Sequence, residues 1–269
     1  MKIIIPMAGL GTRFQNVADI NPEYKKPKPF INVRNFPMVK WATGSLPFLK
    51  NLGSEVATKD LIFIIRKEHN DEHNIEKKLQ ELYSNDIHIV IQDTPAVGAT
   101  DSVLRAKHLL SEDEEIIITD SDHFFDGSIL AERINNKHKD TAGIIPVFVP
   151  PNDGIPRWSY SLVPPGTTFI EKVGEKDRAL MEAGAYANIG AYYFSKAKYF
   201  TDIAEEVIAK NQKFGDAGKG EFYIAPLYQI LLDRGHKVEA AILPEVWGLG
   251  TPADLERFLA ETNFEKPYY

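Results

Sequence analysis

The residues with the clearest chemical potential lie near the start of the chain, where an apolar run ends in glycines and an arginine, IIIPMAGLGTRF at 3–14. Glycines after a strand let backbone N–H groups approach a phosphate closely, and such loops lie at the carboxyl ends of strands in open α/β sheets. Arg13 is followed by Lys26 and Lys28, which concentrate positive charge beside the glycines of an otherwise acidic chain. The pattern favours phosphate binding, and a turn followed by a solvated basic loop stays open as the alternative.

The glycine spacing completes neither of two common nucleotide motifs. A dinucleotide fingerprint needs a third glycine where Phe14 stands, and an acidic residue about 20 positions further on. A Walker-type loop needs Gly-Lys followed by Ser or Thr, and the 9–14 stretch has no such sequence. The phosphate chemistry is therefore of another kind.

The sequence HNDEH at 69–73 is a second short pattern that could carry chemistry. It fits the His-x-x-Glu-His pattern of some zinc peptidases and would place both histidines on one helical face. Patterns this short also match by chance, and no distal carboxylate ligand is evident. Zinc chemistry is thus a minor alternative.

The elements that would position these residues alternate along the first 150 residues between β-branched runs and stretches of helical periodicity. This alternation predicts a parallel sheet with right-handed crossovers, and its strands, which do not alternate with polar residues, are expected to be buried on both faces. The predicted strands are 3–7, 61–66, 87–92, 116–119 and 142–149. The predicted helices are 37–49, 70–83, 100–110 and 128–139.

After Pro150 the pattern changes to shorter strands separated by turns, which predicts antiparallel pairing on the substrate side of the fold. The expected strands are 158–163, 168–173, 187–194 and 238–243, and the expected helices are 196–210, 221–234 and 251–264. Neither an internal repeat nor a linker is evident. We therefore predict an α/β fold in one domain, 1–269, with a nucleotide-binding half at 1–150 and an acceptor-binding half at 151–269.

Composition excludes several function classes. The chain has 269 residues, no cysteine and a formal net charge of -7, with 43% hydrophobic residues, which is enough for a sizeable core. An acidic surface disfavours general binding to nucleic acid or to anionic membranes. Without cysteine there are no disulfides or thiolate metal sites. With no apparent signal peptide or membrane span, the protein is expected to be soluble and cytoplasmic.

Several sequence blocks resemble, in the same order, those of the sugar-phosphate nucleotidyltransferases, also called nucleotide-sugar pyrophosphorylases. The blocks are GLGTRF at 9–14, PKPFINV at 27–33, PMVKWA at 37–42, VGATDSVL at 97–104, ITDSDHFF at 118–125, IEKV at 170–173, ANIGAYYF at 187–194 and GLGTPADLERF at 248–258. The resemblance implies a Rossmann-like mixed, mostly parallel sheet flanked by helices. With no hexapeptide-repeat extension, the chain resembles the short branch that has the catalytic domain alone.

The resemblance also implies the reaction. A phosphate oxygen of the acceptor, usually a sugar 1-phosphate, attacks the α-phosphorus of a nucleoside triphosphate and releases pyrophosphate, so that catalysis consists of positioning and charge neutralisation. Arg13 would hold the β- and γ-phosphates and Lys28 would bridge the α-phosphate and the acceptor. The nucleotide would lie on the loop residues Ala8, Gly9, Gly11 and Thr12.

The resemblance further implies Mg²⁺ held by carboxylates. Asp120 and Asp122 directly follow an apolar strand, and their spacing points both side chains the same way on an extended backbone. The Ser-Asp pair aligns with the Gly-Asp of the family, so Asp122 is the preferred ligand and Asp120 a second, helping candidate. Aspartates that only cap a turn are the alternative. His123 beside them could contact a ligand, but a lone loop histidine is more often structural.

The residues that would select base and acceptor are also implied by the resemblance. They are Gln92, Gly98 and Thr100 for the nucleotide, and Glu171, Lys172, Asn188 and Gly190 for the acceptor. The predicted partners are thus a nucleoside triphosphate and a phosphorylated small molecule, with neither nucleic acid nor a membrane. Many relatives are oligomeric, so a homo-oligomer is expected by analogy.

One segment departs from the family. Many relatives carry a metal-binding aspartate just before the Gly-Thr-Pro that starts the last helix, whereas this chain reads WGLGTP at 247–252, without a carboxylate. The metal would then be held by Asp122 and nucleotide oxygens, or Glu221 or Asp120 would substitute, or activity would be reduced. Two further functions stay open: a cytidylyltransferase of surface-polysaccharide synthesis with a non-sugar phosphate acceptor, and a non-catalytic subunit that binds nucleotide or sugar phosphate.

Overall fold

The computed structural model describes residues 1–49, 58–215 and 220–268. The strands in chain order are β1 Lys2–Pro6, β2 Asn32–Val33, β3 Phe36–Pro37, β4 Leu61–Arg66, β5 His88–Gln92, β6 Ile116–Thr119, β7 His123–Phe125, β8 Thr141–Phe148, β9 Ser159–Leu162, β10 Lys172–Glu175, β11 Tyr186–Asn188, β12 Ala191–Phe194, β13 Lys237–Ile242 and β14 Val246–Gly248. The helices are α1 Thr12–Gln15, α2 Met38–Thr43, α3 Lys67–His73, α4 Ile75–Leu82, α5 Ala99–Leu104, α6 Ser128–Asn135, α7 Arg178–Glu182, α8 Ala197–Ala209, α9 Ala225–Asp233 and α10 Pro252–Glu261. Within the described ranges no helix has the length and apolar character needed to cross a membrane.

The chain forms two compact units, each built from separated stretches. Unit A consists of Ile3–Pro95, Thr119–Ser128 and Glu245–Tyr269. Unit B consists of Met1–Lys2, Ala96–Ile118 and Ile129–Pro244. The division into a single domain with halves at residue 150 stays a prediction.

Unit A contains the parallel strands that the apolar runs predict. Strand β1 pairs in parallel with β4, and β4 pairs in parallel with β5. Two small antiparallel pairs join them in this unit, β2 with β3 and β7 with β14. Strands β1 and β4 have buried central residues as expected, but β5 is only half-buried, with Ile91 exposed. The prediction that every strand of the first half is buried on both faces is therefore wrong for β5.

Unit B is organised around the long strand β8. One edge of β8 pairs antiparallel with β11 and β12, and β13 pairs with it in parallel. Strand β9 lies between β10 and β11, again antiparallel to both. The predicted mixed sheet, with parallel strands early and antiparallel strands in the second half of the chain, is confirmed.

Two predicted strands are each divided. The predicted strand 187–194 separates into β11 and β12 at Gly190, whose φ is 86°, and the Ile189 amide N–H donates to the carbonyl of Pro146. Of the predicted strand 168–173 only the end belongs to β10, because the chain changes partners within it. Ile170 donates to Val238 of β13, whereas Glu171 donates to Leu162 of β9.

Several predicted helices are shorter or interrupted. The predicted helix 70–83 breaks at Asn74, which adopts the left-handed conformation with φ of 53°, a conformation that asparagine tolerates better than most residues. The Asn70 side chain accepts from the Glu76 amide across the break. The predicted helices 37–49 and 100–110 end early and continue in 3₁₀ turns, at 47–49 and 107–109.

The core of unit A is rich in aromatic residues. Trp41 contacts Phe124 and Phe258 edge-to-face, with ring centroids 5.0 and 5.1 Å apart, and its indole N–H donates to the Val33 carbonyl at 2.8 Å. Phe124 belongs to β7 and Phe258 to α10. The core thus ties together the three chain stretches that form this unit.

Arg34 connects the β2–β3 turn to the end of α10. Arg34 and Asn35 both have positive φ, as two-residue hairpin turns require. The guanidinium donates to the carbonyls of Leu259, Thr262 and Phe264. The bond to Leu259 satisfies a carbonyl group of the last helical turn, which has no partner within the helix, and the other two tie down the segment that follows α10.

Replacing Arg34 with alanine should lower the free energy of unfolding by about 2 kcal/mol, because hydrogen bonds from a charged donor contribute about 1.5–3 kcal/mol. Arg34→Lys should recover only part of the loss, since an ammonium group cannot reproduce the planar fork. The measurement is urea unfolding followed by tryptophan fluorescence. As the control, Lys67→Ala removes an exposed ion pair with Asp71 and should leave the midpoint unchanged. Equal midpoints for Arg34→Ala and the wild type would contradict the assigned role.

Candidate phosphate and metal site

Three side chains that could bind a metal ion meet just after strand β6. Asp120, Asp122 and His123 each offer one ligand atom, and these atoms lie within 4.8 Å of one another. The predicted proximity of the two aspartates is thus present. Within residues 1–49, 58–215 and 220–268 no other such group of three exists, so His69 and His73 of α3 belong to none.

Lys28 neutralises the acidic group. Its Nζ donates to Asp122 Oδ2 at 2.6 Å, and both side chains are about three-quarters buried. Lys28 starts a 3₁₀ turn between the buried Pro27 and Pro29, whose rings fix the backbone on both sides. The lysine is therefore held in place rather than free to sample the solvent.

The glycine loop passes directly beside this lysine. Gly11 has φ of 69°, and a Cβ added there would come within 3.3 Å of Lys28 Cβ. Gly9 and Thr12 are exposed, and Ala8 is half-buried. Loop backbone next to an ammonium group is an arrangement that suits phosphate oxygens.

The titration behaviour of the cluster follows from its charges. Burial and the charge of Asp122 raise the pKa of Asp120 to about 7, against the opposing effect of Lys28. Burial also acts to raise the pKa of Asp122, but Lys28 outweighs it, with smaller help from His123 and Arg13, and the net pKa is lowered. Asp122 is thus the carboxylate that stays ionised. The exposed Arg13 belongs electrostatically to the same site.

His123 is the residue for which the sequence favoured a structural role over contact with a ligand. It is 2% exposed, its Nε2 lies 3.1 Å from Thr119 Oγ1, and its Nδ1 has no hydrogen-bond partner among the described residues. Burial lowers its pKa to about 4, so the imidazole is neutral near pH 7. The sequence feature that could have pointed to a role in the site is the position of His123 directly after Asp122.

The aspartate-free segment 247–252 lies against the acidic group. Leu249 N–H donates to the Asp122 carbonyl at 2.8 Å, and Gly248 pairs with His123 between β14 and β7. A Cβ added to Gly250 would come within 2.4 Å of Asp122 Oδ2. A side chain at position 250 would therefore displace the carboxylate.

The donor set fits a divalent cation. Two carboxylates provide the hard oxygen ligands that Mg²⁺ and Mn²⁺ prefer, and a neutral imidazole provides a nitrogen ligand. The unpartnered Nδ1 of the buried His123 is an orphaned polar atom that a bound ion would satisfy. The residues present thus suit a metal ion.

The other predicted nucleotide residues are placed as follows. Gln92 is buried at the end of β5 in unit A. In unit B, Gly98 has φ of 99° and a Cβ there would come within 2.8 Å of the Phe222 backbone. Thr100 is fully buried, and its N–H donates to the Phe222 carbonyl at 2.9 Å. Their roles in binding stay predictions.

The predicted acceptor residues all lie in unit B. Glu171 and Lys172 are exposed, the latter at the start of β10. Asn188 is buried, its Oδ1 accepts from Ser161 Oγ at 2.7 Å, and its Nδ2 has no partner among the described residues. Gly190 separates β11 from β12. An unpaired side-chain amide group suits hydrogen bonding to a ligand, and the role of Asn188 in acceptor binding stays a prediction.

Comparison with known proteins identifies the relatives of this chain. The nucleotidyl transferase family model matches residues 3–258. The curated bifunctional protein GlmU of Thermodesulfovibrio yellowstonii is 26% identical over 266 residues, covering 95% of this chain and 50% of GlmU. The chain spans about half the length of this curated relative.

Solved structures show the same fold. The nucleoside-diphosphate-sugar pyrophosphorylase of Vibrio cholerae RC9 is 22% identical, with a TM-score of 0.73, covering 96% of this chain and 99% of that one. The inositol-1-phosphate CTP transferase of T. maritima is 17% identical, with a TM-score of 0.68, covering 97% of this chain and 93% of that one. The expected Rossmann-like fold of the nucleotidyltransferases is confirmed.

The close approach of Gly250 to Asp122 gives a matched test. Gly250→Ala should shift the carboxylate and weaken the affinity for Mn²⁺ about tenfold, as changes to the support of a metal ligand do. Gly248→Ala, where the nearest atom outside the chain neighbours lies 3.7 Å from the added Cβ, should keep the wild-type affinity. Both are measured by titration calorimetry without nucleotide. Equal losses in the two variants would contradict the specific contact with Asp122.

Proposed function

The chain belongs to the nucleotidyl transferase family, and on this premise we propose that it transfers a nucleotidyl group from a nucleoside triphosphate to a sugar 1-phosphate, releasing pyrophosphate. The observation that carries the proposal is the pairing of Lys28 with Asp122 beside an open glycine loop. A cation that suits phosphates thus lies next to carboxylates that suit a metal ion, which supports the proposal.

The reaction needs charge compensation more than covalent chemistry. An oxygen of the acceptor phosphate forms a bond to the α-phosphorus while the bond to the departing pyrophosphate breaks. Negative charge gathers on the α-phosphate oxygens and on the leaving group. Preorganised cations that meet this charge lower the barrier without a covalent enzyme intermediate.

Each demand has a residue in unit A. The exposed backbone of the Ala8–Thr12 loop binds the nucleotide phosphates, and Arg13 meets the charge of the leaving pyrophosphate. Lys28, now engaged with Asp122, has three donor hydrogens and serves the α-phosphate and the acceptor phosphate with the others. Its pairing with Asp122 fixes where its charge lies before substrate arrives.

Asp122, with Asp120 as its helper, would hold the divalent cation. When bound, the ion neutralises phosphate oxygens and aligns the two reactants, and Mg²⁺ is the ion that usually accompanies nucleotides. The carboxylates themselves orient and share the ion. The lowered pKa of Asp122 keeps this residue ready to do so.

The residues proposed for selectivity are Gln92, Gly98 and Thr100 for the nucleotide, and Glu171, Lys172, Asn188 and Gly190 for the acceptor. The unpaired Nδ2 of Asn188 supports a hydrogen bond to an acceptor hydroxyl. A homo-oligomer, a cytoplasmic location and a role in surface-polysaccharide synthesis belong to the same proposal.

The test is pyrophosphate release with a divalent cation over a grid of substrates. The donors are CTP, UTP, dTTP, ATP and GTP, and the acceptors are sugar 1-phosphates, inositol 1-phosphate and phosphocholine. One solved relative is described as an inositol-1-phosphate CTP transferase, so a cytidylyltransferase with a non-sugar acceptor is the second candidate. The nucleoside triphosphate and the acceptor that react together decide between these two candidate functions.

Lys28→Ala and Asp122→Ala should each lower kcat for the productive pair by about 10²- to 10³-fold, the usual cost of losing a group that stabilises transition-state charge. The matched controls are Lys67→Ala and Asp71→Ala, each of which removes one partner of an exposed ion pair of the same unit. The controls should keep wild-type rates. No turnover across the grid, with tight nucleotide binding in calorimetry, would replace the enzyme proposal with a binding subunit.

A further inference from the structure

We propose that Asp120, Asp122 and His123 form a mixed carboxylate and imidazole site that prefers divalent transition-metal ions such as Co²⁺ over Mg²⁺. The inference rests on the proposed function for the need of a divalent cation and names the class of ion that the site selects. Neither aspartate alone would distinguish these ions strongly. The imidazole of His123 is the group that distinguishes transition-metal ions from Mg²⁺.

The distances suit one ion. Ligand atoms lie about 2.0–2.6 Å from a divalent cation, so two ligands of the same ion are at most about 5 Å apart. The two carboxylates and one ring nitrogen of His123 fall within 4.8 Å of one another. Lys28 engages Oδ2 of Asp122 and leaves the other carboxylate oxygen for a metal ion.

Thr119 is positioned to accept the ring proton of His123. Its Oγ1 lies 3.1 Å from His123 Nε2 and 3.4 Å from the Asp120 carbonyl oxygen. In the proposed site the ring proton lies on Nε2 and bonds to this hydroxyl, so that Nδ1 offers its lone pair to the metal ion. A histidine that binds metal typically donates its other N–H to such a neighbouring oxygen.

The Nδ1 atom lacks a hydrogen-bond partner among the described residues. His123 is 2% exposed, and Nδ1 makes no hydrogen bond to any described residue. Buried polar atoms are nearly always satisfied, by protein, water or an ion. A metal ion shared with the two adjacent carboxylates would satisfy this one.

The chemistry of the donor set determines the preference. Mg²⁺ prefers oxygen ligands in octahedral geometry, whereas imidazole nitrogen binds the later transition metals more strongly. The facing segment 247–252 adds no carboxylate that would restore an all-oxygen set, because Gly248 pairs with His123 and Gly250 lies against Asp122. The three donors come from residues 120–123 alone.

The decisive experiment titrates the 269-residue chain with Co²⁺ and, separately, with Mg²⁺, in the absence of nucleotide. Visible absorption reports nitrogen ligation of Co²⁺, and calorimetry reports both affinities. Co²⁺ should bind at least tenfold more tightly than Mg²⁺. His123→Asn replaces the nitrogen by an amide group near the position of Nδ1 and should reduce the Co²⁺ affinity by about tenfold or more, with little change for Mg²⁺.

Two further variants make the result unambiguous. The double variant His69→Asn, His73→Asn removes the two histidines of the HNDEH pattern and should leave Co²⁺ binding unchanged. Thr119→Val keeps the shape of a buried side chain but removes the acceptor for Nε2–H, and it should also weaken Co²⁺ binding. It provides the test if His123→Asn does not fold.

Three results would overturn the proposal. They are equal affinities for Co²⁺ and Mg²⁺ in the wild type, an unchanged ratio of the two affinities in both His123→Asn and Thr119→Val, or loss of Co²⁺ binding in the His69 and His73 double variant. Because the metal titration contains no nucleotide, its result can be interpreted even if the transferase assay shows no activity. Conversely, an active transferase with an unchanged ratio rejects the metal preference alone.

Discussion

The ion pair between Lys28 and Asp122 is the interaction on which the site depends. Two carboxylates and an imidazole share a small, largely buried volume, where like charges repel strongly because little water screens them. One ammonium group 2.6 Å from Asp122 makes this arrangement tolerable. It also divides the acidic pair into an ionised Asp122 and an Asp120 that binds protons readily.

The surrounding core explains why this pair keeps its geometry. Phe124, only two residues from Asp122, is fully buried among Trp41, Phe258 and Tyr268. Leu249 is likewise buried, next to Gly250. Apolar anchors thus alternate with the polar residues of the site, so that packing energy holds side chains whose charges alone would push them apart. Such support from a rigid core is what positions functional groups to within fractions of an ångström.

The sequence predicted those features that depend on local pattern. The apolar runs of β1 and β4, the glycine loop and the aspartate pair at a strand end were all available from composition and spacing. The Asn74 break and the division at Gly190 were not, because each depends on backbone conformations or partners that a hydrophobic pattern does not encode. The contact of Gly250 with Asp122 and the orphaned Nδ1 of His123 join residues far apart in the chain or depend on hydrogen-bond geometry, and no spacing rule contains them.

Unit A is assembled from three stretches of chain, with most of unit B inserted between the second and the third. Closing such long loops costs conformational entropy before any contact is gained, and contacts between distant residues slow folding. Arg34 and its acceptor at Phe264 are 230 positions apart. During synthesis the loop, the lysine and the aspartates therefore exist for some time without the backbone of 248–250 beside them. The order of translation, as well as the final packing, determines when the acidic cluster is first enclosed.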